Sequence, residues 1–371
     1  MIHLTAPSIE EDDLQAVRNV LESGFLVQGV KVAEFERVLT EYTGAKYAIA
    51  VSNCTAALHL SLLSLNIGTG DLVAVPSYSW IATANVVELC GAFPVFVDID
   101  PQTFNINTAH LESVIQKHAA HPHNQGRLRA ILPVHSFGST ADMPAIIELA
   151  EHYQLPVIED AACALGASID CKKAGAWGKI GCFSFHPRKA VTTGEGGMIV
   201  TDDEQITHRL RILRNHGQDP PEFVMPGFNY RLTEFQAALG IVQMNKIERI
   251  IAARRHSATV YDRLFMDTPI QIQTVLPGSR HIYQSYVILL PNNINRSALI
   301  HFLKERGIET TIGTIHMPMT EYYRTHYSFK LGDFPITDRI ASHSLTLPLY
   351  EKLSEKEQQY VVDAVLEGLK Q

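Results

Sequence analysis

Residues 180–201 read IGCFSFHPRKAVTTGEGGMIVT, with an apolar run at each end and a polar, glycine-containing stretch between them. The runs at residues 180–185 and 198–201 have the composition of buried strands. The stretch between them, residues 186–197, then lies at the ends of strands, where the sheets of α/β proteins bind ligands. It carries Lys189, and burial of an unpaired ammonium is costly. These residues therefore predict a sheet protein whose functional site includes Lys189.

Lys189 has two interpretations. A lysine at a strand end can lie along apolar surface and keep its ammonium in water. A lysine that forms a Schiff base with a ligand instead gives up its free ammonium and avoids the cost of burying it. The glycines in Gly194-Glu195-Gly196-Gly197 favour a ligand, because they let the backbone approach it closely. Their spacing is not that of the GxxxxGK[ST] phosphate loop, so nucleotide hydrolysis is not supported.

Strand and helix patterns alternate on the N-terminal side of this stretch. Short apolar runs predict strands at residues 47–51, 72–75, 94–97, 130–133 and 157–159. Helical spacing of apolar residues predicts helices at residues 10–22, 32–42, 56–65 and 81–89. Strands that are separated by helices pair in parallel, with both faces of the sheet covered. The sequence therefore predicts an α/β fold with a mostly parallel central sheet flanked by helices.

The C-terminal third of the chain has a different pattern. Helical spacing dominates from residue 231 to about residue 265. A strand pattern over residues 283–290 and a helix pattern over residues 296–306 follow. We therefore expect a large domain over residues 1–250 and a smaller C-terminal α+β domain over residues 251–371, and the N-terminal segment could pack on the smaller one.

Composition and charge argue against several classes of protein. The chain has 371 residues, a formal net charge of −8 and no block of like charges, which disfavours a nucleic-acid partner. Its five cysteines form no CxxC pair, so neither a zinc site nor a disulfide framework is expected, and the His-Pro-His at residues 121–123 is not expected to bind a metal. A secretion signal is lacking, and the most apolar region, residues 72–97, is interrupted by polar residues and prolines. We expect a cytoplasmic protein without a membrane partner.

Three further segments contain candidate functional residues. Cys54 and Thr55 stand between a predicted strand and a predicted helix, where helix N-terminal amides could bind a phosphate, or where Thr55 or its neighbour Asn53 could simply cap the helix. Trp80 follows a strand and could stack on a flat ring or fill the core. Asp160 ends an apolar strand, where its carboxylate could face a protonated ring nitrogen or cap the next helix. Each segment alone leaves both interpretations open.

The order of these segments resembles the DegT/DnrJ/StrS family of sugar aminotransferases. The resembling stretches run through nearly the whole chain and are SNCTAALHLSL, VPSYSWIATAN, IEDAACALGA, CFSFHPRKAVTTGEGGMIVTDD, GFNYRLTEFQAALG and SLTLPLY. The resemblance implies the aspartate aminotransferase fold (fold type I), pyridoxal 5′-phosphate (PLP) as cofactor, and a homodimer with shared active sites. It also implies transfer of an amino group from an amino acid donor, L-glutamate by resemblance, to a nucleotide-linked keto-sugar.

The resemblance also implies a role for individual residues. Lys189 would form the Schiff base with PLP and act as the general base, and Asp160 would pair with the pyridine nitrogen. Trp80 would stack on the ring. The residues that bind the phosphate would be Ser184, Thr55, the amides around Cys54 and, from the other subunit, Asn229.

Two positions depart from the family pattern. Cys54 stands where glycine is frequent, although a backbone contact to phosphate would survive the change. Cys163 stands where glutamine or histidine often contacts the phenolic oxygen of the cofactor, and a thiol is a weak hydrogen-bond partner. Two histidines have open roles: His186 could contact substrate or only pack beside the cofactor segment, and His135 could belong to the cofactor environment or be a structural histidine.

Three alternatives to sugar amination remain open. A dehydratase of this family would carry a histidine in place of Lys189, so the lysine argues against dehydration. The motifs do not exclude an aminotransferase that makes an amino-cyclitol. A non-catalytic regulatory protein with the same fold is disfavoured by the intact set of Lys189, Asp160 and Ser184, because loss of catalysis would leave such a lysine unconstrained.

Overall fold

The computed structural model describes residues 1–120 and 126–370, so the His-Pro-His at residues 121–123 lies outside the described residues. The helices are α1 (Glu11–Ser23), α2 (Val30–Thr43), α3 (Cys54–Ser64), α4 (Ala82–Leu89), α5 (Thr108–Ala120), α6 (Met143–His152), α7 (Glu204–Arg214), α8 (Glu234–Phe265), α9 (Arg296–Glu305), α10 (Glu321–Tyr327), α11 (Pro335–His343) and α12 (Glu355–Gly368). Two short 3₁₀ helices cover Ser136–Gly138 and Met317–Met319. The strands are β1 (Tyr47–Val51), β2 (Leu72–Pro76), β3 (Tyr78–Ser79), β4 (Phe93–Val97), β5 (Leu128–Ile131), β6 (Ile158–Asp160), β7 (Ser168–Ile169), β8 (Lys172–Lys173), β9 (Ile180–Ser184), β10 (Gly197–Thr201), β11 (Gln218–Asp219), β12 (Glu222–Phe223), β13 (Gln271–Ile272), β14 (Ser279–Arg280), β15 (Tyr286–Leu289), β16 (Thr311–Ile312), β17 (Ile315–His316) and β18 (Ser344–Leu347).

The central sheet is built around β9 and β10, the two strands of residues 180–201. Its order is β1-β10-β9-β6, in which β6 and β9 are parallel and β10 is antiparallel to both of its neighbours. A parallel group with the order β4-β2-β5 continues this sheet, because Ile131 at the end of β5 forms a parallel bridge with Val157 just before β6. The prediction of an α/β fold with a mostly parallel central sheet is confirmed, with β10 as an antiparallel strand within it.

Alternate side chains of the central strands pack against helices on opposite faces of the sheet. In β1, Ile49 and Val51 join a core built with α3, α4 and α7, whereas Ala48 and Ala50 join a core built with α2 and α8. Successive side chains of a strand point to opposite faces, which produces this alternation. The sheet is therefore buried on both faces, as parallel sheets require.

The C-terminal region contains a second, smaller sheet. Its strands are antiparallel in the order β13-β15-β18-β16, and α9, α12 and the second half of α8 pack on it. The first residues of the chain join this core, since Ile2 is buried there and forms a parallel bridge with Ile308. One helix, α8, runs unbroken through residue 250, and the division of the chain into two domains at that point stays a prediction.

All five cysteines are free thiols, and Cys54 and Cys182 are buried. In residues 1–120 and 126–370, no three His, Cys, Asp or Glu side chains come together as a metal site would require. Within the same part of the chain, none of the helices has the length and apolar character needed to cross a membrane.

Candidate active site

A cavity of about 810 Å³ lies where β6 and β9 end, at Asp160 and Ser184. The residues predicted from the sequence that line it are Cys54, Thr55, Trp80, Asp160, Cys163, Ser184, His186 and Lys189. Asn229 lies apart from them. Its side chain is exposed, its backbone forms a bridge with Asn215, and it is not among the described residues that line the cavity.

Asp160 is buried, and both of its carboxylate oxygens accept hydrogen bonds. Thr83 Oγ1 donates to Oδ2 over 2.8 Å, and the amide of Ala162 donates to Oδ1 over 3.2 Å. Burial raises the pKa of Asp160, while these two hydrogen bonds and the charge of Lys189 oppose the rise. The carboxylate therefore gains most from a positively charged partner placed in the cavity.

Glu159, the residue before Asp160, lies on the opposite face of β6 from Asp160 and fixes the strand there through its own hydrogen bonds. Its carboxylate accepts three backbone amides of residues 175–178 at 2.6–2.7 Å and lies 2.8 Å from Nε2 of His135. The other ring nitrogen of His135 accepts the amide of Ala141 over 3.0 Å, so Nε2 carries the proton and donates it to Glu159. His135 is fully buried and does not line the cavity, so it is a structural histidine.

Gln284 holds the loop of Lys189 from both sides. Its Oε1 accepts the amide of Ala190 over 3.0 Å, and its Nε2 donates to the carbonyl of Arg188. Because these two residues flank Lys189, the buried amide of Gln284 fixes the direction in which the lysine side chain leaves the backbone.

The ε-amine of Lys189 points into the cavity and has a sulfur neighbour. Nζ donates to Sγ of Cys163 over 3.0 Å. Burial alone would lower the pKa of Lys189, but Cys163, Cys54 and Asp160 raise it, and the resulting pKa is above its usual value. The amine is therefore electrostatically coupled to the acidic groups of the same cavity.

The N-terminus of α3 faces the cavity at Cys54 and Thr55. Asn53 caps the helix by accepting the amide of Ala56 over 2.8 Å, and in the described part of the chain the amides of Cys54 and Thr55 have no acceptor. Gly197 lets β10 approach this end of the helix, because a Cβ atom there would lie 2.5 Å from the backbone of Asn53. Open amides at a helix N-terminus suit an anion such as a phosphate.

Trp80 and His186 complete the predicted set. The side chain of Trp80 is 65% exposed and lines the cavity, so it does not fill the core. His186 Nδ1 accepts the amide of Arg188 over 3.2 Å, and the amide of His186 donates to Ser184 Oγ over 3.3 Å. One ring nitrogen of His186 thus supports the turn that leads to Lys189, and burial lowers the pKa of the ring.

Sequence reasoning missed two residues of this site. Thr83 stands three positions after Trp80 in the same motif, so a hydroxyl near the start of a helix that faces the cavity was a usable signal. Gln284 lies 94 residues from Ala190, and nothing in its own neighbourhood in the sequence marks it.

The parts of the cavity match the parts of PLP. The amine of Lys189 can bond the aldehyde carbon, and the buried carboxylate of Asp160 can pair with the pyridine nitrogen. The amides at the N-terminus of α3 suit the phosphate, and the plane of Trp80 can cover the ring. The residues present therefore fit this cofactor. A site of this kind on a mostly parallel sheet defines a PLP-dependent enzyme of fold type I.

The chain belongs to the DegT/DnrJ/EryC1/StrS aminotransferase family, whose sequence model matches residues 7–366. It is similar to GDP-perosamine synthase from Caulobacter vibrioides, with 36% identity over 378 residues that cover 100% of this chain and 98% of that protein. The predicted family is confirmed, and the protein is a PLP-dependent aminotransferase of the sugar-aminotransferase group.

Solved structures agree with this assignment. An aminotransferase of the same family from Brucella abortus has a TM-score of 0.91 and 34% identity, covering 97% of this chain and 95% of that one. A Streptococcus pneumoniae structure in its PLP form has a TM-score of 0.93 and 26% identity, covering 100% of this chain and 98% of that one. The fold and the cofactor predicted from the sequence are thereby confirmed.

Proposed function

We propose that this enzyme transfers the amino group of L-glutamate to the carbonyl carbon of a keto-hexose linked to a nucleoside diphosphate. One observation carries the proposal: the ε-amine of Lys189 and the buried carboxylate of Asp160 line the same cavity. The relationship to GDP-perosamine synthase supports a nucleotide-linked sugar as acceptor. The lysine disfavours dehydration, for which a histidine would stand at this position.

Lys189 is the proposed catalytic base. Its ε-amine would hold the cofactor in the resting enzyme. Once released by the amino acid substrate, the same amine would take the proton from Cα of that amino acid and return it at C4′ of the cofactor. PLP, when bound, supplies an electron sink for the pair of electrons that this proton leaves behind. Asp160 maintains the sink by keeping the ring nitrogen protonated.

The other residues of the cavity orient the cofactor in this proposal. Ser184 and Thr55 supply hydroxyl groups and Cys54 an amide to the phosphate, because all three line the cavity around the N-terminus of α3. Trp80 covers one face of the ring and keeps water from it. His186 also lines the cavity, and we assign it a contact with the substrate.

The cavity has room for an acceptor beside the cofactor. Its volume of about 810 Å³ lies toward the upper end of the range of about 300–1,000 Å³ that small-molecule sites occupy. The wall contributed by the C-terminal region carries hydroxyl side chains that can bind a sugar, and these are Thr311, Thr314 and Thr346. A large polar acceptor therefore suits the space that PLP leaves.

We further propose a cytoplasmic homodimer with shared active sites. Asn229 is exposed and lies outside the cavity of its own chain, although its neighbour Tyr230 lines that cavity. A two-fold dimer can place each exposed Asn229 at the phosphate of the other subunit. The free state of all five cysteines supports a reducing compartment.

A single-turnover experiment tests the proposed reaction. L-glutamate should convert the enzyme to its pyridoxamine phosphate form, seen as loss of the PLP absorbance band. Each member of a panel of nucleotide-linked 3-keto and 4-keto hexoses is then added. At least one should restore the band and yield an amino sugar by mass spectrometry. If an inosose-type cyclic ketone restored the band and none of the sugar nucleotides did, amino-cyclitol synthesis would replace the proposal.

A further inference from the structure

The partly buried amine of Lys189 has a thiol as its hydrogen-bond partner, whereas a lysine amine away from water is usually paired with a carboxylate. Sγ of Cys163 accepts from Nζ over 3.0 Å, whereas Asp160 acts on the amine through its charge and not through a hydrogen bond. Cys163 is therefore the hydrogen-bond partner of this amine among the described residues. Burial of an ammonium without a strong partner is costly, so the state of this sulfur matters for the state of the amine.

The sulfur is held in place by the same segment of chain that carries Asp160. The amide of Ala161 donates to the carbonyl of Cys182 over 2.9 Å, and the amide of Ala164 donates to the carbonyl of Ala161 over 2.9 Å. These bonds close a turn around Cys163 immediately after β6. The turn fixes the thiol and the carboxylate relative to each other, and both face the cavity.

A thiol differs from an amide or an imidazole at this position because it can lose its proton to become an anion. A neutral thiol is a weak acceptor, whereas a thiolate is a charged partner for an ammonium. The proton can thus sit on nitrogen, beside a thiolate, or on sulfur, beside a neutral amine. The other residues with titratable or charged side chains that line this cavity are Cys54, His59, Asp160, His186, Arg188, Glu195 and Tyr230.

We propose that Cys163 is a positioning residue for Lys189: its sulfur holds the ε-amine in the cavity and shares a proton with it whenever the amine is not joined to the cofactor. The inference rests on the proposed role of Lys189 as the cofactor lysine. It adds that the amine released during each half-reaction has a fixed place and an acidic neighbour that helps to set its protonation. Removal of the sulfur then leaves a partly buried amine that loses its proton more easily, because desolvation disfavours its charged form.

Competitive acetylation of the full-length, cofactor-free protein tests this pair without any turnover. Brief pulses of acetic anhydride at a series of pH values label only neutral amines, and peptide mass spectrometry gives the label on Lys189 relative to the exposed Lys356. Wild type is compared with Cys163→Ala and with Cys163→Ser, which keeps a hydroxyl at the same place. At about pH 8 both variants should label Lys189 about tenfold more than wild type, equivalent to one pH unit in the labelling midpoint.

Equal midpoints in all three proteins, or a higher midpoint in the variants, would overturn the proposal. A normal midpoint in Cys163→Ser with a lowered one in Cys163→Ala would also overturn it, because a hydrogen bond without a shared proton would then suffice. If Cys163→Ala does not fold, the labelling midpoint of the near-isosteric Cys163→Ser, compared with that of wild type, still tests the proposal. Thermal unfolding shows whether each variant is folded. The labelling of Lys189 does not depend on turnover, so it would be unchanged if the enzyme aminated none of the sugar nucleotides. The proposed reaction and the proposed role of Cys163 can therefore be contradicted independently.

Discussion

Oγ1 of Thr83 donates a hydrogen bond of 2.8 Å to Oδ2 of Asp160, and this bond joins the first helix after Trp80 to the end of β6. Ser79 lies 3.0 Å from the same hydroxyl, so Thr83 has a partner on each side. Burial raises the pKa of Asp160, and the hydroxyl of Thr83 opposes that rise. Thr83 therefore helps Asp160 to remain a carboxylate.

Substitutions of Asp160 and of its hydrogen-bond partner Thr83 should slow the half-reaction with L-glutamate to different extents. Asp160→Asn should leave PLP bound but slow the half-reaction with L-glutamate by about a thousandfold, since the lost ionic contact is worth on the order of 4 kcal/mol at the transition state. Thr83→Val should slow it by about 10- to 100-fold, because a hydrogen bond to a charged group contributes about 1.5–3 kcal/mol. Stopped-flow absorbance measures both rates. Thr83→Ser keeps the donor and should be near wild type, and a normal rate in Asp160→Asn would remove the assigned role.

Gln284 should control how tightly the enzyme binds PLP. Gln284→Ala removes two hydrogen bonds to the backbone beside Lys189 and should weaken PLP binding about tenfold or more. Gln284→Glu keeps the acceptor for Ala190 but sets a carboxylate against the carbonyl of Arg188, so it should be similarly impaired. Gln273→Ala is the matched control, because Gln273 is buried, donates to the carbonyl of Thr103, and does not line the cavity. Equal PLP dissociation constants in Gln284→Ala and Gln273→Ala would refute the assignment.

Much of the fold could be predicted because its strands are short, apolar runs with clear ends. The prediction of a strand at residues 47–51 matches β1, and the run at residues 180–185 differs from β9 by one residue. The helical pattern predicted from residue 231 to about residue 265 corresponds to one long helix, Glu234–Phe265. Two-residue strands such as β3 and β17 could not be predicted, since each exists only through pairing with the other across the fold.

The site divides in the same way between local and distant signals. Lys189 lies in the loop between two strands and Asp160 at a strand end, so local patterns indicated both residues, whereas the role of Ser184 came only from the family resemblance. Thr83 and Asp160 are 77 residues apart, and their hydrogen bond depends on how two layers of the fold meet. The contact between Cys163 and Lys189 is of the same kind, because the sequence shows an unusual residue but not the atom that it faces.

His281 should make the free energy of unfolding depend on pH. Burial lowers the pKa of its imidazole to about 3, and its neutral ring accepts the amide of Tyr283 over 2.9 Å. Above about pH 7.5 the imidazole is almost entirely neutral in both the folded and the unfolded chain, so it adds no pH dependence. Below that pH the unfolded chain binds a proton that the folded one does not, and stability falls until about pH 3.

Urea unfolding at two pH values measures this effect. Between about pH 6.5 and pH 5 the wild-type free energy of unfolding should fall by about 1.5–2 kcal/mol more than that of His281→Gln. His326→Gln, which replaces an exposed histidine, should keep the wild-type pH dependence. If His281→Gln and wild type lose the same free energy over this interval, the imidazole is not held neutral in the folded protein.

Mixed dimers of two inactive variants should show whether Asn229 contributes to the active site of the other subunit or to that of its own. Lys189→Ala should abolish activity, and Asn229→Asp should cripple it by setting a carboxylate against the cofactor phosphate. Co-expression with two affinity tags gives about half mixed dimers, each with one site that carries both defects and one that carries neither, so about a quarter of wild-type activity should return. Activity no greater than the sum of the two separate variants would show that Asn229 serves its own subunit.

Reduction of the holoenzyme with borohydride tests the position of the cofactor. If Lys189 carries PLP, the yellow protein loses its visible absorbance on reduction, and peptide mapping finds the reduced cofactor on the peptide that contains Lys189. Lys189→Ala should then take up no covalent cofactor under the same conditions. Recovery of the label on Lys172, Lys173 or Lys179 instead would contradict the assignment of the cavity as the active site.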